Sequence, residues 1–246
     1  MKTSSHYFRK FVSAFTLIEL LVVIAIIGIL AAMLFPALGK VKEKTMIKQA
    51  LIDMNKLGMA IKSYESDYNG RFPAPGIPTG EQDVTYGFIA PLPANHLAVS
   101  NNANVVAVLL NLETFANGVA TTNKGKVFNP RGLVSLNAEN AKDANARGVG
   151  PDGEYRDPWG NPYVISMDTS LNDHVRDVIY SRVAVSWDTT SSKILNGLST
   201  NSAAATDPYG LRGQYLIWSR GPDGQASHTV RANQGVNKDN ILGWQQ

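Results

Sequence analysis

The chain has 246 residues, a net charge of +3 and a hydrophobic share of 44%, which suits one membrane-length helix plus one globular domain of ordinary size. No Lys/Arg run is interleaved with aromatics, so no nucleic-acid surface is expected. Cysteine is absent, which excludes a disulfide framework and thiolate metal sites and is compatible with an oxidising compartment.

Residues 1 to 14 carry Lys2, Arg9 and Lys10 and no acid, as suits a short leader on the cytoplasmic side of a membrane. Phe15 to Leu38, FTLIELLVVIAIIGILAAMLFPAL, is apolar throughout except for Thr16 and Glu19. At roughly 1.5 Å per residue, a helix of this length crosses a hydrocarbon core about 30 Å thick. An ionised Glu19 inside such a span is costly unless a partner faces it. A cut just before Phe15 would create an amine four residues away, in the same chain and in every neighbouring copy. Gly28 and Ala32 put small residues on one helix face, which permits close helix approach, although small residues are common in membrane helices in any case. Pro36 predicts a kink or local melting where the helix leaves the membrane.

Beyond it, Ile47, Leu51, Met54, Leu57, Ile61, Tyr64 and Tyr68 recur at spacings of three and four, the period of an amphipathic helix. One helix is expected from about Thr16 to Tyr68, with Lys and Asp on its polar face. Asn69-Gly70 caps it, and Pro73, Pro75 and Pro78 prevent resumption. Residues 77 to 150 read as loops around one short helix at about Val105 to Phe115, with an extended turn at 126 to 133 and a solvated loop at 139 to 153. Asp157 to Tyr163, DPWGNPY, reads as a structural turn: the prolines set φ, Gly160 permits tightness, and Trp159 and Tyr163 supply apolar anchors. Strands are predicted at Val164 to Met167, Val183 to Trp187 and Tyr215 to Trp218, with Asp168 and Asp173 in a turn.

Several of these segments resemble one family. The basic leader followed by FTLIELLVVIAIIGILAA resembles the type IV prepilin signal, with Ala14 standing where the family usually has Gly. The resemblance implies a prepilin peptidase that cuts between Ala14 and Phe15 and methylates the Phe15 amine, and it makes Glu19 the assembly acid. YESDYNGRFPAPG at residues 64 to 76 and DPWGNPY are similar to motifs of the major, G-type pseudopilin of type II secretion. The implied fold is α+β and pilin-like: a long N-terminal helix packed on a small antiparallel sheet with long loops. The implied organisation is a leader at 1–14, a transmembrane assembly helix at 15–38, an amphipathic continuation at 39–76 and a periplasmic head at 77–246.

The last segment, YLIWSRGPDGQASHTVRANQGVNKDNILGW, is similar to the part of major pseudopilins that binds one Ca²⁺. Carried over by position, Asp223 and Asp239 match two carboxylates, and Ser219 and Arg220 match the strand end that offers backbone oxygens. Where the family commonly has a second acid next to the final Asp, this chain has Lys238 and Asn240. Read from the residues alone, Gly221-Pro222-Asp223-Gly224 is equally an ordinary β-turn.

No enzyme is expected. His6, His96, His174 and His228 are scattered, and no Gly-x-Ser-x-Gly, phosphate-loop or His-Glu-x-x-His pattern is present. The resemblance implies a structural subunit of the inner membrane, single-pass, with a cytoplasmic N-terminus before cleavage. Its partners would be the peptidase, other copies of itself, minor pseudopilins, an assembly platform and a secretion ATPase. The alternatives are a type IV pilin for adhesion, motility or DNA uptake, and a membrane-anchored periplasmic binding protein.

Overall fold

The structure is a computed structural model and describes residues 15–77, 80, 82–88, 90–91, 93, 96–200 and 207–245. The leader, including Ala14, lies outside the described residues. The chain divides into two compact units, Met1–Thr45 and Met46–Gln246.

In the first unit, helix α1 (Leu17–Asp67) begins two residues after Phe15. From Leu17 to Leu38 its large apolar side chains are exposed all round, with Leu17 at 79% and Phe35 at 72%. A helix apolar on every side is matched to lipid or to other helices, not to water. Among the described residues it is the one helix long and apolar enough to cross a membrane. The helix runs unbroken through Pro36, so the expected local melting does not occur. A proline deletes one bond of the ladder, and the strong helix formers on either side sustain the rest.

In the second unit, the predicted period is realised. Ala50, Met54, Leu57, Ile61 and Tyr64 form a buried stripe, and Gly58 sits where a Cβ would come within 2.7 Å of the Tyr215 ring. The helix ends as expected: Asn69 takes φ 55° and the Gly70 N–H donates to Glu65 O at 2.9 Å, the six-to-one bond of a left-handed cap.

The stripe packs on a five-stranded sheet. Its strands are β1 (Asp83–Tyr86), β2 (His96–Val99), β3 (Val164–Met167), β4 (Tyr215–Ser219) and β5 (Ile241–Leu242). The spatial order is β5-β4-β3-β1-β2. All pairs are antiparallel except β1 with β2. Val84, Tyr86, Ile165, Met167 and Ile217 join the α1 core. Val164, Leu216 and Trp218 join a second core on the opposite face, with Val175, Val178, Ile179, Tyr180 and Val185. The expected pilin-like α+β arrangement is borne out, as are the strands predicted at Val164 and Tyr215.

Four further expectations fail, each for a physical reason. Residues 77 to 150 hold strands β1 and β2 as well as loops. Asp83-Val84-Thr85-Tyr86 is buried on both faces, one of them polar, so it lacks an apolar signature. The short helix α2 is Ala103–Leu109, not Val105 to Phe115. Asn111 takes φ 54°, and the N–H groups of Leu112 and Asn111 close onto Ala107 O and Val108 O at 2.8 and 3.2 Å, capping the helix early. Val183–Ser186 is one helical turn, α3, with Trp187 alone of the predicted strand in extended pairing. Its Val-Ala-Val pattern suits a strand, but Val185 and Ser186 donate their N–H groups to Arg182 O at 3.1 and 2.9 Å. Tertiary packing overrides the β propensity.

The fourth failure is the loop at 139 to 153. Arg147 reaches back to α1, donating from Nε to Asp53 Oδ2 at 2.7 Å and from Nη2 to Oδ1 at 2.8 Å. Asp53 therefore lies on the buried side of the helix, wholly inaccessible, and also accepts a bond from Tyr163 Oη at 3.3 Å. Bidentate pairing is what permits a carboxylate there. Replacing Asp53 with Ala takes this acceptor from the buried Tyr163 phenol and leaves Arg147 with Glu139 alone, and should cost about 1–3 kcal/mol. Urea melts of the detergent-solubilised chain check this; a loss below about 1 kcal/mol would mean that Arg147 is solvated instead.

Candidate functional site

At the start of α1, Glu19 and Thr16 cap the helix reciprocally. The Thr16 N–H and hydroxyl donate to Glu19 Oε2 at 2.9 and 2.7 Å, and the Glu19 N–H donates to Thr16 Oγ1 at 3.2 Å. This is a capping box: Thr16 at the N-cap and the acid three residues on satisfy two backbone donors that have no partner within the helix. The carboxylate also sits at the positive end of the helix dipole. The sequence reading missed this local partner and asked only for a positive charge. The Thr-x-x-Glu spacing was the available signal.

The second candidate region joins two turns distant in sequence. Asp157 is buried. Its Oδ1 accepts the N–H groups of Trp159 and Asn161 at 2.9 and 2.8 Å, and its Oδ2 accepts the Ser219 hydroxyl at 2.5 Å. Asn161 Nδ2 donates to Gly221 O at 3.0 Å. Burial pushes the Asp157 carboxyl up, and the bonds from Ser219 and the two N–H groups oppose that rise. DPWGNPY and the Ser219 turn are thus one structural unit. Tyr163 is fully buried and Trp159 half-buried against the α1 core, as anchors should be. Asp168 closes its own turn, accepting the N–H groups of Asn172 and Asp173 at 3.2 and 2.7 Å.

The structure brings the proposed calcium residues to one loop. The Asp223 N–H donates to Asp239 Oδ2 at 3.3 Å, and Asp223 Oδ1 accepts the Gln225 N–H at 2.8 Å. The Gly224 N–H donates to Gly221 O at 3.3 Å, a β-turn. The Arg220 guanidinium lies 5.6 Å from the centre of the Phe88 ring and donates from Nη1 to Gly224 O at 3.2 Å. Calcium takes about six to eight oxygens, largely from acids and free carbonyls. Here Gly221 O already accepts the Gly224 N–H and Asn161 Nδ2, Gly224 O accepts Arg220 Nη1, and a guanidinium shares the loop. The donor set does not fit the ion. Among the described residues, no group of three or more His, Cys, Asp or Glu side chains could hold a metal.

A third constellation resembles a catalytic set but is sealed. His96 Nε2 lies 2.7 Å from Thr85 Oγ1, which lies 2.8 Å from Ser166 Oγ, which donates to Asp177 Oδ2 at 2.7 Å. Asp177 also accepts Trp218 Nε1 at 3.0 Å and the N–H groups of Ile179 and Tyr180 at 2.8 and 3.0 Å. With Ser166 committed to the carboxylate, Thr85 donates to Ser166 and His96 donates to Thr85. All four side chains are buried. The chain of bonds ties β1, β3 and the covering segment together.

Residues 9–35 match the family model described as a prokaryotic N-terminal methylation motif. The type II secretion system core protein G of Aeromonas hydrophila is 44% identical over 61 residues, which are 25% of this chain and 42% of that protein. The chain thus matches less than half the length of that relative. No solved structure gives a significant match. These matches support a G-type pseudopilin, and the prepilin resemblance read at FTLIELLVVIAIIGILAA is borne out over the region they cover.

The buried histidine makes stability depend on pH. Burial pushes His96 down from 6.5 to about 3, with Arg176 and Arg182 adding to the shift. The folded chain therefore excludes a proton that the unfolded chain accepts. This contribution is intact above pH 6.5 and is lost as pH falls towards about 3, at up to about 1.4 kcal/mol per pH unit. Urea melts of wild type and His96→Gln should diverge across that window, with wild type losing stability faster. Parallel curves would show that His96 titrates normally.

Proposed function

We propose that the mature chain is a major-type pseudopilin: a structural subunit, not an enzyme, that polymerises into a periplasmic pseudopilus driving type II protein secretion. Prepilin peptidase would cut between Ala14 and Phe15 and methylate the Phe15 amine. The subunit would then wait in the inner membrane as a single-pass protein with its head in the periplasm. The observation that carries this reading is the capping box at the start of a helix exposed and apolar on every side. The box supplies hydrogen bonds to Glu19 but no opposite charge. Both side-chain bonds fall on Oε2, and the other oxygen is the acceptor that the Phe15 amine of an arriving copy would use. Pairing cancels a charge that lipid disfavours, so it draws subunits together. Minor pseudopilins, an inner-membrane assembly platform and a secretion ATPase are the remaining partners in this reading.

Two variants separate capping from charge. Glu19→Ala removes both, and Glu19→Gln keeps an acceptor for Thr16 while deleting the charge. Both should be cleaved normally, and both should fail to enter filaments, as seen by imaging sheared fibres. Fibres of normal abundance from Glu19→Gln would overturn the charge-pairing argument. Mass spectrometry of the wild-type protein should find a chain that begins at Phe15 and carries one methyl group; a chain that begins at Met1 would refute the processing step.

A further inference from the structure

The β4–β5 loop has an internal substitute for a cation. Asn240 follows Asp239 and lies within reach of both ends of the preceding turn. Its amide orientation is set by its surroundings, since only one orientation satisfies both its oxygen and its nitrogen, the other leaving Nδ2 with Tyr180 Oη alone. In that orientation Nδ2 donates to both Arg220 O and Gln225 O at 3.2 Å, and Oδ1 accepts the Tyr180 hydroxyl at 2.9 Å. One amide nitrogen therefore draws together the carbonyls at the two ends of the Gly221–Gly224 turn. An amide nitrogen has two N–H groups, and each is used on an oxygen that a metal ion would otherwise collect.

The neighbouring oxygens are taken in the same manner. Gly221 O accepts Asn161 Nδ2, and Gly224 O accepts the Arg220 guanidinium. The loop also lies close against the following segment: a Cβ at Gly221, where φ is 64°, would sit 2.1 Å from Asp239 O, and one at Gly224 would sit 2.8 Å from Asn161 Oδ1. Tyr180, which orients Asn240, is itself locked edge-on between Trp218 and Trp244, with ring centres 5.2 and 5.6 Å away. The amide is thus held from the second core while it grips the loop.

We infer that Asn240 closes this loop in place of a divalent cation, so that the folded head is independent of calcium. Two carboxylates, Asp223 and Asp239, remain beside the loop. Each has one oxygen on a backbone N–H of the loop itself. Exchanging the amide for a carboxylate would remove both donors, leave the two carbonyls facing an anion, and recreate a site that needs a cation. The inference stands on the loop alone and does not depend on whether the subunit assembles into a pseudopilus.

The test is thermal unfolding of the detergent-solubilised full chain in millimolar calcium and in chelator. Wild type should melt at the same temperature in both, within about 1 °C. Asn240→Asp should melt lower in chelator and recover by about 4 °C or more in calcium, since a bound ligand stabilises only the folded state. Asn240→Leu should melt lower and show no recovery. A calcium-dependent rise of several degrees in wild type would overturn the inference. So would an Asn240→Asp variant that folds yet ignores calcium, because the amide would then not occupy the place of an ion. If that variant does not fold, calorimetric titration of wild type with calcium decides alone, with stoichiometric heat refuting the inference and its absence supporting it.

Discussion

One stripe of α1, from Ala50 to Tyr64, cannot face water, and the second unit is built to cover it. Its large side chains each gain about 1.5–3 kcal/mol on burial, so the sheet that meets them is held in a single register. The cross-strand rows Val84–Met167–Tyr215 and Tyr86–Ile165–Ile217 present the covering face. A slip by one residue would turn Thr85 and Ser166 onto the helix and the apolar rows away from it. The opposite face of the sheet then needs a cover of its own, and the segment from Val175 to Leu198 supplies it.

Covering the stripe buries polar groups, and each acid taken inside is answered by donors. Asp53 is met by Arg147 and Tyr163, Asp157 by backbone N–H groups and Ser219, and Asp177 by Trp218, Ser166 and two N–H groups. Such buried groups are tolerated only when satisfied. In this chain they also act as ties, because their partners come from other elements. The Asp157–Ser219 bond joins the turn before β3 to the end of β4, and the Ser166–Asp177 bond fastens the second layer to the sheet. Glu19 follows the same rule in a different setting, since its donors come from its own helix terminus and bring no opposite charge.

The two ends of the proposed mechanism therefore have opposite physical character. The start of α1 is left incomplete: among the described residues its capped carboxylate meets no opposite charge, and the large apolar side chains around it are exposed. The β4–β5 loop is complete, with its carbonyls taken by Asn161, Asn240 and Arg220. A subunit of this kind would draw its need for neighbours from the helix and ask nothing of the solution to hold its head.

Local pattern determined a definite part of this protein. The apolar run from Phe15 to Leu38, the three-and-four spacing from Ile47 to Tyr68, the Asn69-Gly70 cap and the strands at Val164 and Tyr215 all follow from residues within a turn or two of each other. Tertiary structure alone decided the rest. Asp53 looked like a surface residue because its partner lies 94 positions away. Strand β1 was invisible because one of its faces is buried yet polar, and Val183–Ser186 became a helical turn although its side chains favour a strand. Asn240 read as a departure from a metal-binding pattern, and only the arrangement of Arg220, Gln225 and Tyr180 around it gave the amide a role. Periodicity records which side of an element is apolar; it carries no information about which distant donor will meet a buried acceptor.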